Sequence, residues 1–200
     1  MVTGVVLALL ASILFGLNNA IVRRITQCSD TSIYHIVFYS LLVGSPLLIT
    51  IGFIVEGLPR LVDISMLLGY AVIGIGHFII GRSMVYYAIS RIGGGPAATI
   101  TSSITVLTAV FGVYLLGEPG SLKLWIGVFL VFMGATMASS TGMNFKLKDK
   151  LGLLIAFLAT IIFSFTTIGI RTLNVAWKSP ITGSAISYTS ALLVLSLIHI

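Results

Sequence analysis

Arg82 is the residue whose position suggests chemistry most directly. It lies in an apolar stretch, Leu67 to Ile89, that contains no acidic residue to pair with it. An uncompensated arginine near a bilayer centre costs about 2.5–3.5 kcal/mol on insertion scales, so such a residue normally faces protein or water. At helical spacing Phe78 and Tyr86 share its face, and a cation flanked by aromatic rings suits an anionic or zwitterionic ligand. The alternative is an arginine that bonds backbone carbonyls or extends to the membrane surface.

Other polar residues in apolar runs each have a functional and a structural interpretation. His77 precedes the arginine by five positions, about 140° away on an α-helix, and either relays protons or bonds a neighbouring helix. Thr101 and Thr105 share one stripe of the next run, where hydroxyls line a cavity or permit close helix packing. Asn18 and Asn19 end the first run beside Arg23, either at a cationic mouth for an anionic substrate, with Asn19 as a candidate contact, or at a simple interfacial anchor. The candidate binding residues are Arg82, Tyr86, His77, Asn19, Thr101 and Thr105.

The motifs of enzymes and metal sites are missing from the sequence. Gly93-Gly94-Gly95-Pro96 is not followed by the Lys-Ser/Thr pair of a phosphate loop, so it predicts a tight turn into a helix. Cys28, Asp30 and His35 lack a recognised metal-ligand spacing, and no HExxH motif occurs. We therefore expect no catalytic residues, no metal and no cofactor.

The composition excludes a soluble domain. Hydrophobic residues make up 58% of the 200 residues and charged residues only 8%, and the mean hydropathy is +1.15. Soluble globular proteins contain about 25% charged residues. The net charge of +6 is not arranged as a basic stripe with aromatics, so we expect no nucleic-acid partner. The excess of Lys and Arg fits anchoring and orientation at a membrane.

Apolar intervals of about 20 residues, with charges mostly at their ends, predict seven membrane-spanning helices joined by short connections. The intervals are Met1–Val22, Thr31–Val55, Leu67–Ile89 (apolar except for His77 and Arg82), Gly93–Leu116, Leu124–Ala138, Leu151–Ile170 and a last run that begins after Lys178-Ser179-Pro180 and ends at Ile200. The predicted fold class is all-α, a polytopic integral membrane protein.

The sixth interval resembles the first when the sequence is shifted by 148 positions. One helical stripe of the first comprises Ala8, Ser12, Gly16, Asn19 and Arg23. Its counterparts are Ala156, Thr160, Ser164, Thr167 and Arg171, and with one inserted residue the match continues from Phe38-Tyr39-Ser40 to Ser187-Tyr188-Thr189. Because five spans separate the copies, the second enters the membrane in the opposite direction, as in many secondary transporters. The alternative is a chance similarity between two apolar helices.

The stretch from Tyr86 to Glu118 resembles the EamA family of the drug/metabolite transporter superfamily. The resemblance rests on Tyr86-Tyr87-Ala88, the Ser/Thr-rich segment Thr99 to Thr108, and Leu116-Gly117-Glu118, with Phe15-Gly16 in the first helix. One departure is Thr105, where many members have a proline that kinks the helix. The resemblance implies ten helices in two inverted five-helix halves, and export or exchange of metabolites.

On this interpretation residues 1–140 form a first EamA-like five-helix repeat, and residues 151–200 form the first two helices of a second, truncated repeat. We expect about seven helices here from a ten-helix inverted-repeat transporter of roughly 290 residues. The two cationic stripes that end at Arg23 and Arg171 then approach from opposite sides, either as mouths for an anion or as simple anchors.

The function that the sequence favours is a multi-pass permease of the cell membrane that exports or exchanges an anionic or zwitterionic metabolite. The expected partners are this small-molecule substrate and the lipid bilayer, and a homodimer is compatible with the sequence. One alternative is a membrane-embedded lipid-handling enzyme, which needs an acid, base or metal cluster that the sequence lacks. The other is a structural membrane subunit, which needs no buried cation.

The orientation in the membrane is left open by two opposing arguments. Loops after odd-numbered spans contain Arg23, Arg24, Arg91, Lys146, Lys148 and Lys150, whereas loops after even-numbered spans contain Arg60, Lys123, Arg171 and Lys178. The positive-inside rule therefore weakly favours an external N-terminus. The family resemblance implies an internal one.

Overall fold

The computed structural model is a bundle of helices and describes residues 2–28, 31–57, 63–140 and 149–199. Within these ranges no strand occurs. In chain order the helices are α1 (Val2–Cys28), α2 (Ile33–Glu56), α3 (Ile64–Gly74), a π-helical segment (Ile75–Gly81), α4 (Arg82–Ile92), α5 (Gly94–Thr101), α6 (Ile104–Leu116), α7 (Leu122–Ser140), α8 (Lys150–Trp177) and α9 (Pro180–His199). The loop residues Asp30, Arg60, Lys146 and Lys148 lie outside the described residues.

Six of the seven predicted spans are long and apolar enough, within the described ranges, to cross a membrane. They are Gly4–Cys28, Ile33–Glu56, Ile64–Ile92 (the third span), Gly94–Leu116 (the fourth span), Lys150–Trp177 and Pro180–Leu197. The remaining one, Leu122–Met137, is a shorter apolar helix. Large apolar side chains cover the outside of the bundle, a surface that suits lipid contact. The predicted all-α, polytopic membrane fold is confirmed.

The third span is not α-helical throughout, as the sequence interpretation assumed. Its halves α3 and α4 are joined by the π-helical segment Ile75–Gly81. Here the backbone N–H of Arg82 donates to the carbonyl of His77, five positions earlier. A single π turn therefore separates these two residues, so the angle of about 140°, which assumed α-helical winding, does not apply across this segment. Such segments are rare and occur frequently at functional sites.

The fourth span is interrupted near its middle, between the end of α5 at Thr101 and the start of α6 at Ile104. Around the interruption the N–H groups of Ser103 and Thr105 donate to carbonyls three positions earlier. The hydroxyls of Thr99, Thr101 and Ser102 donate to backbone carbonyls of the preceding turn. Such side-chain bonds compete with the helical hydrogen bonds and bend helices. Thr101 and Thr105 therefore lie on two helices instead of one stripe, and the helix breaks before Thr105 without a proline.

The helices pack closely where glycines replace larger side chains. α9 packs against α2 and α3, while α8 packs against the third and fourth spans. Gly74 in α3 touches the backbone of Ser187 in α9, and Gly152 in α8 lies against Ile92. Small residues at such contacts let helix backbones approach in lipid. The buried core follows these contacts and includes Val37, Leu41, Phe78, Tyr86, Ala156, Ala159, Ala191 and Leu195.

α1 and α8 run in opposite directions across the bundle. Contacts between the third span and α8 join the beginning of one to the end of the other: Gly69 with Leu173, and Ile92 with Gly152. Contacts between the third span and α1 follow the same order in both: Tyr86 with Asn18, and Gly94 with Arg23. The third span is therefore antiparallel to α8 and parallel to α1.

α2 and α9 are also antiparallel. The hydroxyls of Ser45 and Thr189 lie 2.7 Å apart, and nearer the other end Gly52 lies against Thr182. These are the two helix pairs that the sequence shift relates, and opposite directions are what an inverted repeat requires. The division into repeats at residues 1–140 and 151–200 stays a prediction.

Candidate functional site

Arg82 lies at the start of α4, where the third span meets α2 and α9. Its Nη1 donates to Ser40 Oγ in α2 at 2.9 Å, and its Nη2 donates to Tyr188 Oη in α9 at 3.5 Å. Its Cζ is 4.9 Å from the ring centroid of Phe78 and 5.9 Å from that of Tyr188. The guanidinium is therefore held between two hydroxyls and two aromatic rings, and it faces the interior of the bundle instead of lipid.

The described carboxylates have partners elsewhere, at helix ends. Two of them accept hydrogen bonds: Glu56 from the backbone in the first turn of α9, and Asp63 from the Ser65 hydroxyl at the start of α3. The other two form ion pairs, Glu118 with Arg171 and Asp149 with Arg91. Among the described residues, then, no acidic side chain pairs with Arg82. Its charge is balanced by neutral hydroxyls and ring faces, which is an arrangement that favours an anionic ligand.

The Arg91–Asp149 pair joins the end of α4 to the start of α8. Arg91 Nε lies 2.7 Å from Asp149 Oδ2, and its Nη2 lies 3.1 Å from Oδ1, so both carboxylate oxygens are used. Asp149 also accepts from the backbone N–H of Gly152 at 3.0 Å and caps α8. The hydrogen bonds from Arg91 and then from Gly152 lower the pKa of Asp149, which lies outside the spans. This pair fixes one end of the bundle.

The opposite end carries a second ion pair. Arg171 Nη2 near the end of α8 lies 2.6 Å from Glu118 Oε1, just after α6. Arg171 was expected either as a cationic mouth or as an anchor, and its charge is instead paired with an acidic side chain. Its counterpart Arg23 is exposed and lies beside Gly94, at the other end of the bundle.

His77 contacts α8 and not the helices that hold Arg82. Its Nδ1 lies 2.8 Å from Thr166 Oγ1. Its ring centroid is 4.7 Å from that of Phe78 and 4.6 Å from that of Phe163. The structure thus places His77 in a bond between neighbouring helices, the second of the two roles expected for it.

Tyr86 and Asn19 are also separate from Arg82. Tyr86 is buried, and its hydroxyl accepts a hydrogen bond of 3.2 Å from Nδ2 of Asn18 in α1. The asparagine that reaches the third span is therefore Asn18, whereas Asn19 lies half-buried on α1. The sequence interpretation put Tyr86 on the face of Arg82, but its polar end points toward α1.

The two candidate threonines of the fourth span, Thr101 and Thr105, make no described side-chain bond to Arg82. Thr101 Oγ1 donates to the carbonyls of Ala97 at 2.9 Å and Ala98 at 3.2 Å, and Thr105 is half-buried in α6. In the described residues α5 and α6 pack mainly against α4, α7 and α8. The six candidate residues are therefore not gathered into one site, and Arg82 is the centre of a smaller cluster of its own.

A family comparison identifies the class of protein to which this cluster belongs. The model of the EamA-like transporter family matches residues 2–140, well over half of the chain. The chain belongs to the EamA-like transporter family. It is accordingly a multi-pass membrane transporter of the drug/metabolite type, as the resemblance of its first helices indicated. Neither the curated proteins nor the solved structures contain a match to this chain.

The sequence interpretation of this EamA-like protein missed the two polar partners of Arg82. Ser40 lies within the matched region, and Tyr188 lies beyond it, in α9. A signal was present, because the repeat aligned Phe38-Tyr39-Ser40 with Ser187-Tyr188-Thr189. Had the two segments been placed together around the third span, both hydroxyls would have been candidates.

Proposed function

We propose that this EamA-like protein is a secondary permease of the cell membrane that exports or exchanges an anionic or zwitterionic metabolite, with Arg82 as its principal substrate contact. The observation that carries the proposal is the environment of the guanidinium. Arg82 Nη1 and Nη2 have hydroxyl partners in two different helices, and no described carboxylate pairs with it.

The chemistry of the site supports an anion. A guanidinium removed from bulk water gains more from an ionised acceptor than from a hydroxyl, because the attraction between opposite charges adds to the hydrogen bond and is stronger away from water. A carboxylate also matches the two parallel N–H groups of the guanidinium. For a zwitterion, the faces of Phe78 and Tyr188 near the cation provide a second kind of contact, to an ammonium group.

The sequence contains neither a phosphate loop nor a paired metal motif, which supports transport driven by a solute gradient or by exchange. The described spans contain no Asp or Glu away from their ends, so the common carboxylate route for protons has no counterpart in them.

Counterflow in proteoliposomes tests the proposal. Vesicles are loaded with a mixture of membrane-impermeant carboxylates and amino acids, and the solutes that exchange are identified by mass spectrometry. Arg82→Ala should lower exchange by about 10- to 100-fold, since a hydrogen bond to a charged group contributes about 1.5–3 kcal/mol. Arg82→Lys, which keeps the charge but loses the planar fork, should retain part of the activity.

Arg24→Ala is the matched control, because Arg24 is an exposed cation near the end of α1. Removing a cation from the middle of a span should not destabilise the protein, so Arg82→Ala should keep its thermal unfolding temperature. Exchange by Arg82→Ala at the rate of the unmodified protein would overturn the proposal.

A further inference from the structure

Tyr188 is positioned by packing and not by its hydrogen bond. Its ring lies against Gly44 in α2, where a Cβ would come within 2.8 Å of Tyr188 Cε1. On another side its ring centroid is 4.1 Å from that of Phe78. The 3.5 Å bond from its hydroxyl to Arg82 is at the outer limit for a hydrogen bond, whereas Ser40 is held at 2.9 Å. Of the two hydroxyls on Arg82, that of Tyr188 is therefore the easier to replace.

Apart from Arg82 and Ser40, the Tyr188 side chain packs against an apolar core cluster. Val37, Leu41 and Ala191 are fully buried in the cluster that contains Tyr188. The next hydroxyls along the two helices, those of Ser45 and Thr189, bond each other at 2.7 Å. A ligand with many hydroxyls would leave most of them without partners here, which is costly in a dry site.

A cavity of about 430 Å³ lies between α2, α3 and α9, and its lining residues do not include Arg82, Ser40, Phe78 or Tyr188. Its lining includes Ala185 and Thr189, which flank Tyr188 in α9, and Leu48, one turn after Gly44 in α2. Hydroxyl groups in its lining come from Thr182, Thr189 and Ser190, and the remaining lining residues are apolar or glycine. The volume suits a small organic molecule.

We infer that Tyr188 makes the permease selective for monocarboxylates with a compact apolar body, an inference that rests on the function proposed above. The substrate carboxylate replaces the Tyr188 hydroxyl on Arg82, and the apolar body lies against the Tyr188 ring on the side of the cavity between α2, α3 and α9. A single guanidinium selects one negative charge, and the apolar lining discriminates against polyhydroxylated acids.

Binding to the purified protein in nanodiscs tests the inference. Weak acids cross lipid as neutral molecules, so dissociation constants are taken from ligand-dependent thermal unfolding instead of flux. The probes are benzoate, acetate and gluconate at constant ionic strength. Benzoate should bind most tightly and gluconate most weakly. Gluconate binding as tightly as benzoate would overturn the inference.

Two substitutions of Tyr188 separate the roles of its hydroxyl and ring. Tyr188→Phe removes the competing hydroxyl, so benzoate and acetate should both bind roughly threefold more tightly, the effect expected of one hydrogen bond that is weakened by its length of 3.5 Å. Tyr188→Ala should weaken benzoate by about tenfold and acetate much less, because apolar contact is lost. Equal effects of Tyr188→Ala on all three probes would show that the ring does not select the substrate.

Gly44→Ala provides a second test in case Tyr188→Ala does not fold. The added methyl group displaces the same ring from the α2 side, so this variant should also lower the preference for benzoate. Tyr39→Ala is the matched control, because Tyr39 is the exposed counterpart of Tyr188 in α2.

Arg82→Ala distinguishes the two proposals. If Arg82→Ala loses all carboxylate binding but the Tyr188 variants keep the selectivity of the unmodified protein, only the role of Tyr188 is rejected. Unchanged binding in Arg82→Ala rejects the proposed function.

Discussion

Gly74 in α3 lies directly against the backbone of Ser187 in α9, and a Cβ on Gly74 would be 2.7 Å from Ser187 Cα. Because a backbone cannot move aside like a flexible side chain, Gly74→Ala should separate α3 from α9 and reduce the free energy of unfolding by about 1–3 kcal/mol, or more. Thermal unfolding in nanodiscs measures this loss. Gly127→Ala is the control, since apart from the adjoining backbone of its own helix and its two chain neighbours no atom lies within 4 Å of the added Cβ. Equal stability of the two variants would contradict the close packing.

Glu118 and Arg171 should show a small coupling energy. Their side chains are 28% and 57% exposed, so solvent screens the 2.6 Å contact. A double-mutant cycle of Glu118→Gln and Arg171→Gln should give about 0.2–1 kcal/mol, measured by unfolding at low salt, and less at high salt. A coupling energy of zero at low salt would show that the pair does not hold α6 to α8.

The Arg91–Asp149 pair should make stability depend on acid pH. Because the pKa of Asp149 is lowered in the folded protein, its contribution is present above the unfolded pKa of about 3.9 and is lost as pH falls through the lower folded value. The unfolding temperature should therefore fall more steeply below about pH 4 in the unmodified protein than in Asp149→Asn. Parallel pH profiles for the two proteins would contradict this role of the pair.

Thr166→Val should weaken the contact between the third span and α8 without affecting substrate binding. It removes the 2.8 Å partner of His77 Nδ1, and hydrogen bonds between membrane helices contribute about 0.6 kcal/mol on average. Thr167→Val is the control on the same helix. A change in substrate affinity in Thr166→Val, with transport assayed as for Arg82, would place His77 in the substrate site after all.

The positions of the spans were predictable because charge in this chain is confined almost entirely to helix ends. Glu56, Asp63, Glu118 and Asp149 each cap a helix or pair at its end, and these residues bound the apolar intervals. Arg82 was recognised because it is the exception. The sequence alone was enough to identify it, because placing a lone cation in an apolar membrane span costs free energy whichever helices pack against that span.

The partners of Arg82 were not predictable in the same way. Ser40 and Tyr188 lie 42 and 106 positions away, and an apolar pattern does not reveal which helices touch. The π segment and the interruption after Thr101 were missed because both are local departures from helical hydrogen bonding, which hydrophobic periodicity does not record. The sequence interpretation consequently put Phe78 and Tyr86 on the same helical face as Arg82, although the structure directs Arg82 toward α2 and α9 and the Tyr86 hydroxyl toward α1.

Because of the π segment, the direction in which Arg82 points depends on the exact number of residues in the third span as well as on their identity. Each of its turns contains one residue more than an α turn. Deletion of a single residue there, such as the exposed Ile80, would restore the ordinary winding and rotate everything beyond it by about 100°. Arg82 would then point away from Ser40 and Tyr188, although every side chain of the cluster would still be encoded. In a relative whose third span is one residue shorter or longer in this segment, the corresponding arginine would therefore contact a different neighbouring helix.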